Sequence, residues 1–531
     1  MSKELGRYDA VIVGSGISGL TAASYLCKYG YKPILLEQQE TIGGLINSFD
    51  FKGFLFDGGI RSIESSGVVK PMLRDLGIDL DFNRSPVTMG IKDQIISLSQ
   101  ASDLISYEQM LISLFPQDEK DIKKIVKKIK RILSYMDVLY GIDNPMIMNL
   151  KSNPGYVIKT LIPWFFKFVP TLIQIDRLTV PVVPYLQKYT KNQELIDMIA
   201  QHFFKSTPAF FALGYFSIYF DYHYPKGGTG ELPKALESYI TNHGGMIKTN
   251  TRIDSINTES RIVKDTLGNT YPYQKLIWAA DLKSLYQQVD TSTLSNRGNI
   301  DKIISQREFL NDKSGAESVL TVYATVDMDP EYFKKVSSGH FFYTPETVGM
   351  SKVKLEKTND MSSFSESLKK FFEYNTYEIS IPVLRDQRLA PKGQTGLIIS
   401  VLMDYDIVKH IEEVGYYQEF KTFTETYMIE VLSRSIYPGL KDHIIETFSS
   451  TPLTFKKRTG STDGAIIGWG YENKPIPVKR KMSQITRSIR TILPDVYQTG
   501  QWSFSPAGVP VAVITGKLAA DSTRKYLKKI K

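Results

Sequence analysis

Residues 8–19 read YDAVIVGSGISG, an apolar run that ends in a glycine-rich turn. The glycines follow the spacing G-x-G-x-x-G, in which each has a mechanical reason. Gly14 allows the tight turn after the strand, Gly16 lets the backbone approach a pyrophosphate, and Gly19 lets the next helix pack on the strand. That helix is predicted over 17–29, with its positive N-terminus facing the phosphates. The stretch therefore predicts the first strand and helix of a dinucleotide-binding fold.

A second strand with an acidic end supports this prediction. Residues 33–37 read PILLE, so Glu37 follows an apolar strand and lies about 20 residues beyond the glycines. A carboxylate at that place accepts hydrogen bonds from a ribose 2′-hydroxyl, whereas it would repel a 2′-phosphate. The adenosine end of the ligand is therefore expected to be unphosphorylated. NAD and FAD both fit this half of the site.

Further glycine turns favour the longer of these two ligands. Gly43 and Gly44 follow the second strand, and residues 53–59 read GFLFDGG. NAD enzymes have no general need for paired glycines there, but the ribityl chain and ring of a flavin require more close backbone approach. Near the other end, Gly500 opens a turn that ends in PAGVP at 506–510, before an expected helix. Both ends of the chain are predicted to hold one flavin, which carries redox chemistry.

In this order, the motifs resemble the phytoene-desaturase-like branch of the FAD-dependent oxidoreductases, which includes carotenoid desaturases, carotenoid isomerases and retinol saturases. The likeness covers nearly the whole chain, including YPKGGTG at 224–230 and LAPKG at 389–393. It implies an α/β fold, with a Rossmann-like FAD-binding domain of the amine oxidase/phytoene desaturase type and an inserted α+β substrate domain. It also implies FAD as the cofactor.

The resemblance assigns residues to this FAD. Ile253 would lie on the strand whose backbone contacts the adenine, and the turn after Gly500 would face the ribityl chain and ring. Two positions depart from the family: Leu45 stands where a basic residue is common, and Gln501 stands where an acid often bonds the ribityl hydroxyls. The full predicted set is Gly14, Gly16, Ile17, Ser18, Gly19, Glu37, Gly43, Gly44, Leu45, Gly58, Gly59, Ile253, Ala280, Gly500, Gln501, Gly508, Val509 and Pro510.

The chain has 531 residues, which is too long for one ordinary core and suggests two domains. The motif positions predict an FAD-binding domain in three pieces, 1–95, 222–290 and 460–531. The inserted pieces, 96–221 and 291–459, are predicted to form the substrate domain. The composition, with 42% hydrophobic and 23% charged residues, is that of a globular protein.

A net charge of +9 raises the question of an acidic partner. Residues 121–135 predict an amphipathic helix with an isoleucine-rich stripe and a face of lysines, which fits either a solvated surface or attachment to anionic lipid headgroups. No nucleic-acid motif accompanies this charge. The apolar segment 161–173 is expected to be too short to span a bilayer, which needs about 20 residues, and it contains Pro163, Pro170 and Lys167. We expect it to lie in a membrane interface, at the mouth of a substrate tunnel, or in the core.

The single cysteine, Cys27, cannot form an internal disulfide, so nothing in the sequence indicates an oxidising compartment. The glycine strand begins within the first ten residues, which leaves no room for a signal peptide before it. We therefore expect a cytoplasmic protein, either free or peripheral at the inner face of a membrane.

An aromatic band over residues 203–224 suits a long apolar or polyene substrate, although core packing explains such a band equally well. Because a flavin supplies hydride transfer, the protein needs few acids or bases of its own. His202 and His223 flank the band and are the nearest titratable candidates for proton transfer. No catalytic residue is assigned, and the scattered histidines predict no metal site.

The sequence thus predicts an FAD-dependent oxidoreductase that adds or removes hydrogen across carbon–carbon bonds of a hydrophobic isoprenoid, carotenoid-like or other lipid substrate. The alternatives are a flavin-dependent cis–trans isomerase of a polyene, an amine-oxidase-like flavoenzyme, and a flavin-binding scaffold without activity. The apolar insert and the turn at 506–510 argue against an amine oxidase. The direction of reaction, the electron partner and the oligomeric state stay open.

Overall fold

The computed structural model describes residues 8–530. The strands are β1 (Ala10–Val13), β2 (Pro33–Leu36), β3 (Ser48–Phe51), β4 (Phe54–Asp57), β5 (Ile63–Glu64), β6 (Phe82–Arg84), β7 (Val87–Ile91), β8 (Gln94–Leu98), β9 (Tyr222–Pro225), β10 (Met246–Lys248), β11 (Ile253–Asn257), β12 (Ile262–Asp265), β13 (Thr270–Pro272), β14 (Leu276–Trp278), β15 (Ser318–Val326), β16 (His340–Thr344), β17 (Tyr377–Ser380), β18 (Thr395–Met403), β19 (Ile444–Ser450) and β20 (Val496–Gln498). The helices are α1 (Ile17–Lys28), α2 (Val69–Leu76), α3 (Leu104–Leu114), α4 (Glu119–Tyr140), α5 (Pro154–Tyr156), α6 (Ile162–Asp176), α7 (Val182–Leu186), α8 (Gln193–Ala200), α9 (Ala209–Phe220), α10 (Glu231–Asn242), α11 (Leu282–Gln288), α12 (Arg297–Asn311), α13 (Pro330–Lys334), α14 (Met361–Tyr374), α15 (Tyr405–Glu413), α16 (Tyr417–Ser435), α17 (Pro452–Thr459), α18 (Ile485–Ser488) and α19 (Val509–Ile530).

Five parallel strands form the central sheet, in the order β10-β2-β1-β14-β20. Val11 of β1 pairs with Ile34 of β2 on one side and with Leu276 of β14 on the other. The strands β1, β2 and β14 are buried throughout, as near-continuous apolar strands of a parallel sheet should be. The predicted strand–helix–strand unit is confirmed, and α1 starts at Ile17 as expected and ends at Lys28.

The first and last helices pack closely against each other. A Cβ added to Gly516 of α19 would lie 2.4 Å from Ser18 O, so almost nothing separates the two backbones there. The turn before α19 also touches α1, because a Cβ on Gly500 would lie 2.7 Å from Ser18 Oγ. Since β1 and β20 are parallel strands of one sheet, the turns that follow them meet at its carboxyl edge, where ligands of such sheets bind.

A second sheet has seven strands, in the order β19-β15-β18-β17-β16-β7-β8. Its two longest strands, β15 and β18, are antiparallel neighbours and are almost wholly buried. The strand β7 comes from early in the chain and pairs in parallel with β16. Residues 87–98 therefore belong to a sheet that is otherwise formed by residues 318–450. We propose that the boundary between the two domains lies before Val87 rather than at residue 95.

The lysine-rich helix is α4, which extends beyond the predicted 121–135 at both ends. Its isoleucine stripe is buried in a helical core. On the exposed side Lys123 pairs with Glu119, and Lys124 pairs with Asp121. The apolar stripe of this helix is therefore core, and its lysines form a solvated face.

The apolar segment 161–173 lies within a longer helical run. Helix α5, a π-helical turn over Val157–Leu161 and helix α6 continue one another over Pro154–Asp176, which is 23 residues. By length and composition alone this run could cross a membrane, so the expectation that the segment is too short is corrected. Only 6% of its most apolar window is buried, which contradicts the core interpretation.

Candidate active site

One cavity of about 500 Å³ is lined by the glycine turns and by the seven-stranded sheet. Every residue of the predicted cofactor set lines it, except Gly19 and Gly58. The residues that do so are Gly14, Gly16, Ile17, Ser18, Glu37, Gly43, Gly44, Leu45, Gly59, Ile253, Ala280, Gly500, Gln501, Gly508, Val509 and Pro510. The fold thus brings segments from both ends and from the middle of the chain to a single wall.

Gly19 and Gly58 occupy packing positions instead. A Cβ on Gly19 would lie 2.0 Å from Gly14 O, and one on Gly58 would lie 2.2 Å from Asn47 Oδ1. Gly19 therefore holds α1 against the glycine turn, which is the role that its place in the motif predicts. Because neither residue reaches the cavity, we assign both to shaping the turns rather than to contact with a ligand.

Gly16 is the N-cap of α1 and faces open space. No atom lies within 4 Å of the position where its Cβ would stand, so a side chain there would project into the cavity. Gly14, by contrast, has a φ of +98° and packs against Ala279 O. The free amides and the dipole at the start of a helix favour anions. A pyrophosphate therefore fits beside Gly16.

Glu37 is held in one orientation at the end of β2. Its carboxylate accepts hydrogen bonds from Ser15 N at 2.8 Å, Ser15 Oγ at 2.7 Å and Gln39 N at 2.9 Å. These bonds tie it to the glycine turn while it remains part of the cavity wall. A carboxylate has about four lone-pair sites, so capacity remains for the hydroxyls of a ribose.

The two departures from the family pattern both lie in the cavity wall. Leu45 supplies backbone to a close turn, because a Cβ on Gly59 would lie 2.0 Å from Leu45 O. Gln501 Nε2 lies 3.5 Å from Ala465 O, so its amide is only weakly fixed by the protein. Gln501 can therefore turn both a donor and an acceptor towards a ligand.

Aromatic side chains line the remainder of the cavity. They include Phe203, Phe204, Phe211, Tyr215, Tyr219, Tyr222 and Phe342. The first six belong to the predicted band, and Phe342 comes from β16. Other members of the band, such as Phe216 and Phe220, pack in the helical core. Both interpretations of the band therefore hold, since cavity-lining members such as Tyr219 and Tyr222 also belong to that core.

The two predicted histidines are placed differently. His202 lines the cavity, and burial lowers its pKa to about 4, so the ring is neutral. His223 is not part of the cavity wall, and its Nδ1 donates to Asp221 O at 2.7 Å. Of the two, His202 alone can reach a ligand in the cavity.

His340 and Glu378 face each other from neighbouring strands of the cavity wall and were not predicted. His340 Nε2 lies 2.9 Å from Glu378 Oε1, and its Nδ1 lies 3.0 Å from Ser62 Oγ. Burial lowers the pKa of His340. Burial alone would raise the pKa of Glu378, but the bond to His340 and the charges of Arg61 and Arg385 outweigh it and lower the pKa. Glu378 is thus held as a carboxylate by its pairing with His340.

Glu64, at the end of β5, is a further unpredicted titratable group in the wall. Burial raises its pKa to about 7. Its place five residues after Gly59 was the one available signal, since the segment around paired glycines was already expected at the ligand. For His340 and Glu378 there was no such signal, because strand pairing far along the chain brings them to the site.

Comparison with known proteins places these features in a family context. A family model described as an NAD(P)-binding Rossmann-like domain matches residues 12–76. Among curated relatives, prolycopene isomerase 2 of an Oncidium hybrid cultivar is 24% identical, over 98% of this chain and 84% of its own length. The 4,4'-diapophytoene desaturase of Staphylococcus aureus is 21% identical, over 98% and 99%. An inactive all-trans-retinol 13,14-reductase of Danio rerio is 22% identical, over 84% and 75%.

Solved structures show the same fold at lower identity. A putrescine oxidase with redesigned cofactor binding has a TM-score of 0.60 at 14% identity, covering 97% of this chain and 98% of its own. A reduced UDP-galactopyranose mutase has a TM-score of 0.55 at 13% identity, covering 99% and 94%. The predicted fold class and the predicted family likeness are both confirmed. The chain is similar to phytoene-desaturase-like oxidoreductases at low identity, and it contains a Rossmann-like domain of the kind that binds a dinucleotide cofactor.

Proposed function

We propose that the chain binds FAD and moves hydrogen to or from carbon–carbon bonds of a hydrophobic isoprenoid or carotenoid-like substrate. One observation carries the proposal: the glycine turns and the aromatic wall line the same cavity. Gly16 and the start of α1 would hold the pyrophosphate, Glu37 the ribose, and the turn from Gly500 to Pro510 the ribityl chain and ring. Bound FAD supplies the acceptor or donor of hydride.

The aromatic wall suits the substrate half of this reaction. Phenylalanine and tyrosine rings offer a large contact area at a low cost in side-chain entropy, and a long apolar chain would displace water from them. Relatives named for diapophytoene desaturation, prolycopene isomerisation and retinol reduction support a polyene. These names also keep desaturation, saturation and isomerisation as the three candidate outcomes.

Flavin spectra can separate these outcomes. The chain is saturated with FAD, freed of excess, and divided into oxidised and photoreduced samples under anaerobic conditions. Each sample is mixed with 4,4'-diapophytoene, prolycopene or all-trans-retinol, and both flavin absorbance and the polyene products are followed. Bleaching of oxidised flavin with gain of a double bond indicates desaturation. Reoxidation of reduced flavin with loss of a double bond indicates saturation.

The same experiment tests the alternatives. A change of polyene geometry while the flavin stays reduced would identify an isomerase. Bleaching by putrescine or another primary amine, together with no response to any polyene, would replace the proposal with an amine oxidase. A chain that retains no FAD would contradict every one of these flavin-dependent functions.

We further propose that the protein attaches to a lipid surface through helix α6 and the turn before it. Exposed apolar side chains recur on one face of this run at Ile158, Ile162, Phe165, Phe166, Val169 and Ile173. Exposed Lys159 and Lys167 flank the stripe, which suits anionic headgroups. Trp164 fixes the run to α4, since its Nε1 donates to Val138 O at 2.5 Å. A cytoplasmic location, at the inner face of a membrane, remains part of this proposal.

A further inference from the structure

Glu64 occupies the boundary between the two halves of the cavity. A Cβ on Gly508 would lie 3.4 Å from Glu64 Oε1, and the Val509 amide donates to the Glu64 carboxyl. On the other side, Glu64 pairs in register with Tyr222 of β9, a member of the aromatic wall. The carboxyl group therefore lies between the turn expected to hold the flavin and the surface expected to hold the substrate.

The groups around Glu64 come from several elements. Tyr140 of α4, Tyr215 of α9 and Tyr222 of β9 are close enough for its charge to raise their pKa values. The hydroxyl groups of Tyr215 and Tyr222 form a hydrogen bond, with 3.0 Å between their oxygen atoms. Burial is the main cause of the raised pKa of Glu64, and the negative charge of Asp221, between α9 and β9, raises it further. The Glu64 and Val509 amides act in the opposite direction.

A second carboxyl group in the same cavity has the opposite character. Glu378 is paired with His340 at 2.9 Å and has a lowered pKa, whereas that of Glu64 is raised. When surroundings push the pKa values of two groups apart in this way, they divide the roles of proton carrier and fixed charge between them. Glu378 then remains a carboxylate, while Glu64 can gain or lose a proton near neutral pH.

We propose that Glu64 is the catalytic residue that exchanges a proton with the substrate during hydrogen transfer. The proposal rests on the proposed FAD-dependent function. In the desaturation direction, one C–H bond would break and its electron pair would leave as hydride, for which bound oxidised FAD would be the acceptor and would be reduced. The neighbouring C–H bond breaks, its electron pair forms the C=C bond, and its proton passes to the Glu64 carboxylate. Saturation is the reverse of these steps.

The test compares Glu64→Gln with Glu317→Gln in the FAD-loaded protein. Glu317 is a matched control because burial raises its pKa to about 7 as well, yet it does not line the cavity. The single-turnover rate of flavin reduction or reoxidation is measured between pH 5 and 9 with the polyene that reacts. Wild type and Glu317→Gln should show a titration near pH 7. Glu64→Gln should lose it and slow by about 100-fold or more, since acid–base catalysis contributes at least that much.

A merely structural role for Glu64 predicts a different pattern. It would leave the titration in place in Glu64→Gln and change only FAD content or apparent substrate affinity, and this result would overturn the proposal. Flavin content is measured in all three proteins first. A colourless wild type contradicts the proposed function as a whole, whereas a yellow Glu64→Gln with an unchanged pH profile contradicts the role of Glu64 alone.

An infrared measurement keeps the test independent of turnover. Difference spectra are recorded on the FAD-loaded wild type when prolycopene is added at pH 6. A carboxylic-acid carbonyl band that changes in wild type and in Glu317→Gln, and is missing in Glu64→Gln, supports contact between Glu64 and the substrate. Identical difference spectra in all three proteins would overturn the proposal, even if none of the polyenes reacts.

Discussion

Gly16 and Gly19 lie three positions apart in one motif but serve different purposes. A side chain on Gly16 would enter the cavity and touch no part of the protein, whereas one on Gly19 would collide with Gly14 O at 2.0 Å. Folding therefore depends on Gly19, and room for a pyrophosphate depends on Gly16. This difference turns one sequence motif into two separate tests.

Replacing Gly16 with Ala should leave the fold intact and weaken FAD binding. The new methyl group would occupy the space next to the start of α1, so we expect at least a tenfold rise in Kd, or about 1.4 kcal/mol. FAD titration by visible absorbance measures this, with the thermal midpoint of the FAD-free protein as a check on folding. Gly155→Ala is the control, since it also faces open space but lies outside the cavity. Equal affinity in Gly16→Ala and wild type would contradict the assignment.

Replacing Gly19 with Ala should destabilise the protein itself. Backbone has to move to relieve the contact with Gly14 O, and overpacking of this kind costs about 1–3 kcal/mol or more. Urea unfolding of the FAD-free protein measures the loss. A midpoint equal to that of wild type would show that α1 and the glycine turn are not packed as described.

Glu64 should make stability depend on pH in a defined direction. Its pKa is about 7 in the folded chain against an ordinary 4.5, so the neutral form is favoured by folding. This contribution is complete below the unfolded pKa and is lost as the pH rises to the folded value. At 1.36 kcal/mol for each pKa unit, the loss reaches up to about 3 kcal/mol. Glu64→Gln cannot ionise, so its stability relative to wild type should increase between pH 4.5 and 8.

Urea unfolding of both FAD-free proteins at pH 5 and pH 8 checks this. The difference between the two proteins should favour the variant more strongly at pH 8. A difference that does not change with pH would mean that Glu64 is solvated in the folded chain.

At the scale of the elements, local pattern was enough for the strands and helices of the dinucleotide fold. The apolar run before Gly14 predicts β1, and the turn residues after it predict where α1 begins. The observed end of α1 at Lys28 differs from the predicted end by one residue. The end of β2 and the position of Glu37 follow from the same pattern. A helix follows the turn at 506–510 as expected, and α19 extends over Val509–Ile530.

Pairing between distant strands was beyond the sequence. The strand β7 joins β16 across some 250 positions, and neither strand carries a residue pattern that names its partner. His340 and Glu378 reach the cavity through that sheet, so the site's acid–base groups were missed. The sequence left the place of α6 open between a membrane interface, a tunnel mouth and the core, because its composition fits a buried helix equally well.

Helix α6 should control attachment to vesicles without affecting the fold. Phe166 is 74% exposed, so Phe166→Ser removes apolar surface from the stripe at little cost to packing. We expect it to weaken the affinity for anionic vesicles in a co-sedimentation assay by about tenfold or more, because each large apolar side chain that enters the interface contributes about 1.5–3 kcal/mol. The control is Leu267→Ser, which is 80% exposed but lies in the β12–β13 turn.

Salt separates the two parts of this attachment. Lysine contacts with headgroups weaken as the Debye length falls, whereas the apolar contribution does not. If wild type, Phe166→Ser and Leu267→Ser all bind vesicles equally well, α6 has no role in attachment.

For the whole molecule, the ligand cavity is the place where the two ends of the chain meet. The contacts of Ser18 with Gly500 and Gly516 join the first and last helices around one wall. A cofactor held by both ends would bind the folded chain and not the unfolded one, so it should raise stability by mass action. FAD at 100 times its Kd should add about 2.7 kcal/mol.

A thermal-shift series with FAD, NAD and NADP tests this at the level of the molecule. The midpoint should rise with FAD concentration and respond least to NADP, whose 2′-phosphate would be repelled by Glu37. A larger response to NADP than to FAD would contradict the part given to Glu37.

The visible absorption spectrum of the chain after saturation with FAD and removal of the excess is the most direct test. If main-chain groups from both ends of the chain bind the isoalloxazine ring and the pyrophosphate of FAD, the protein will stay yellow after gel filtration, with about one flavin for each chain. A colourless protein, with all of the FAD recovered in the small-molecule fraction, would contradict the flavoenzyme account.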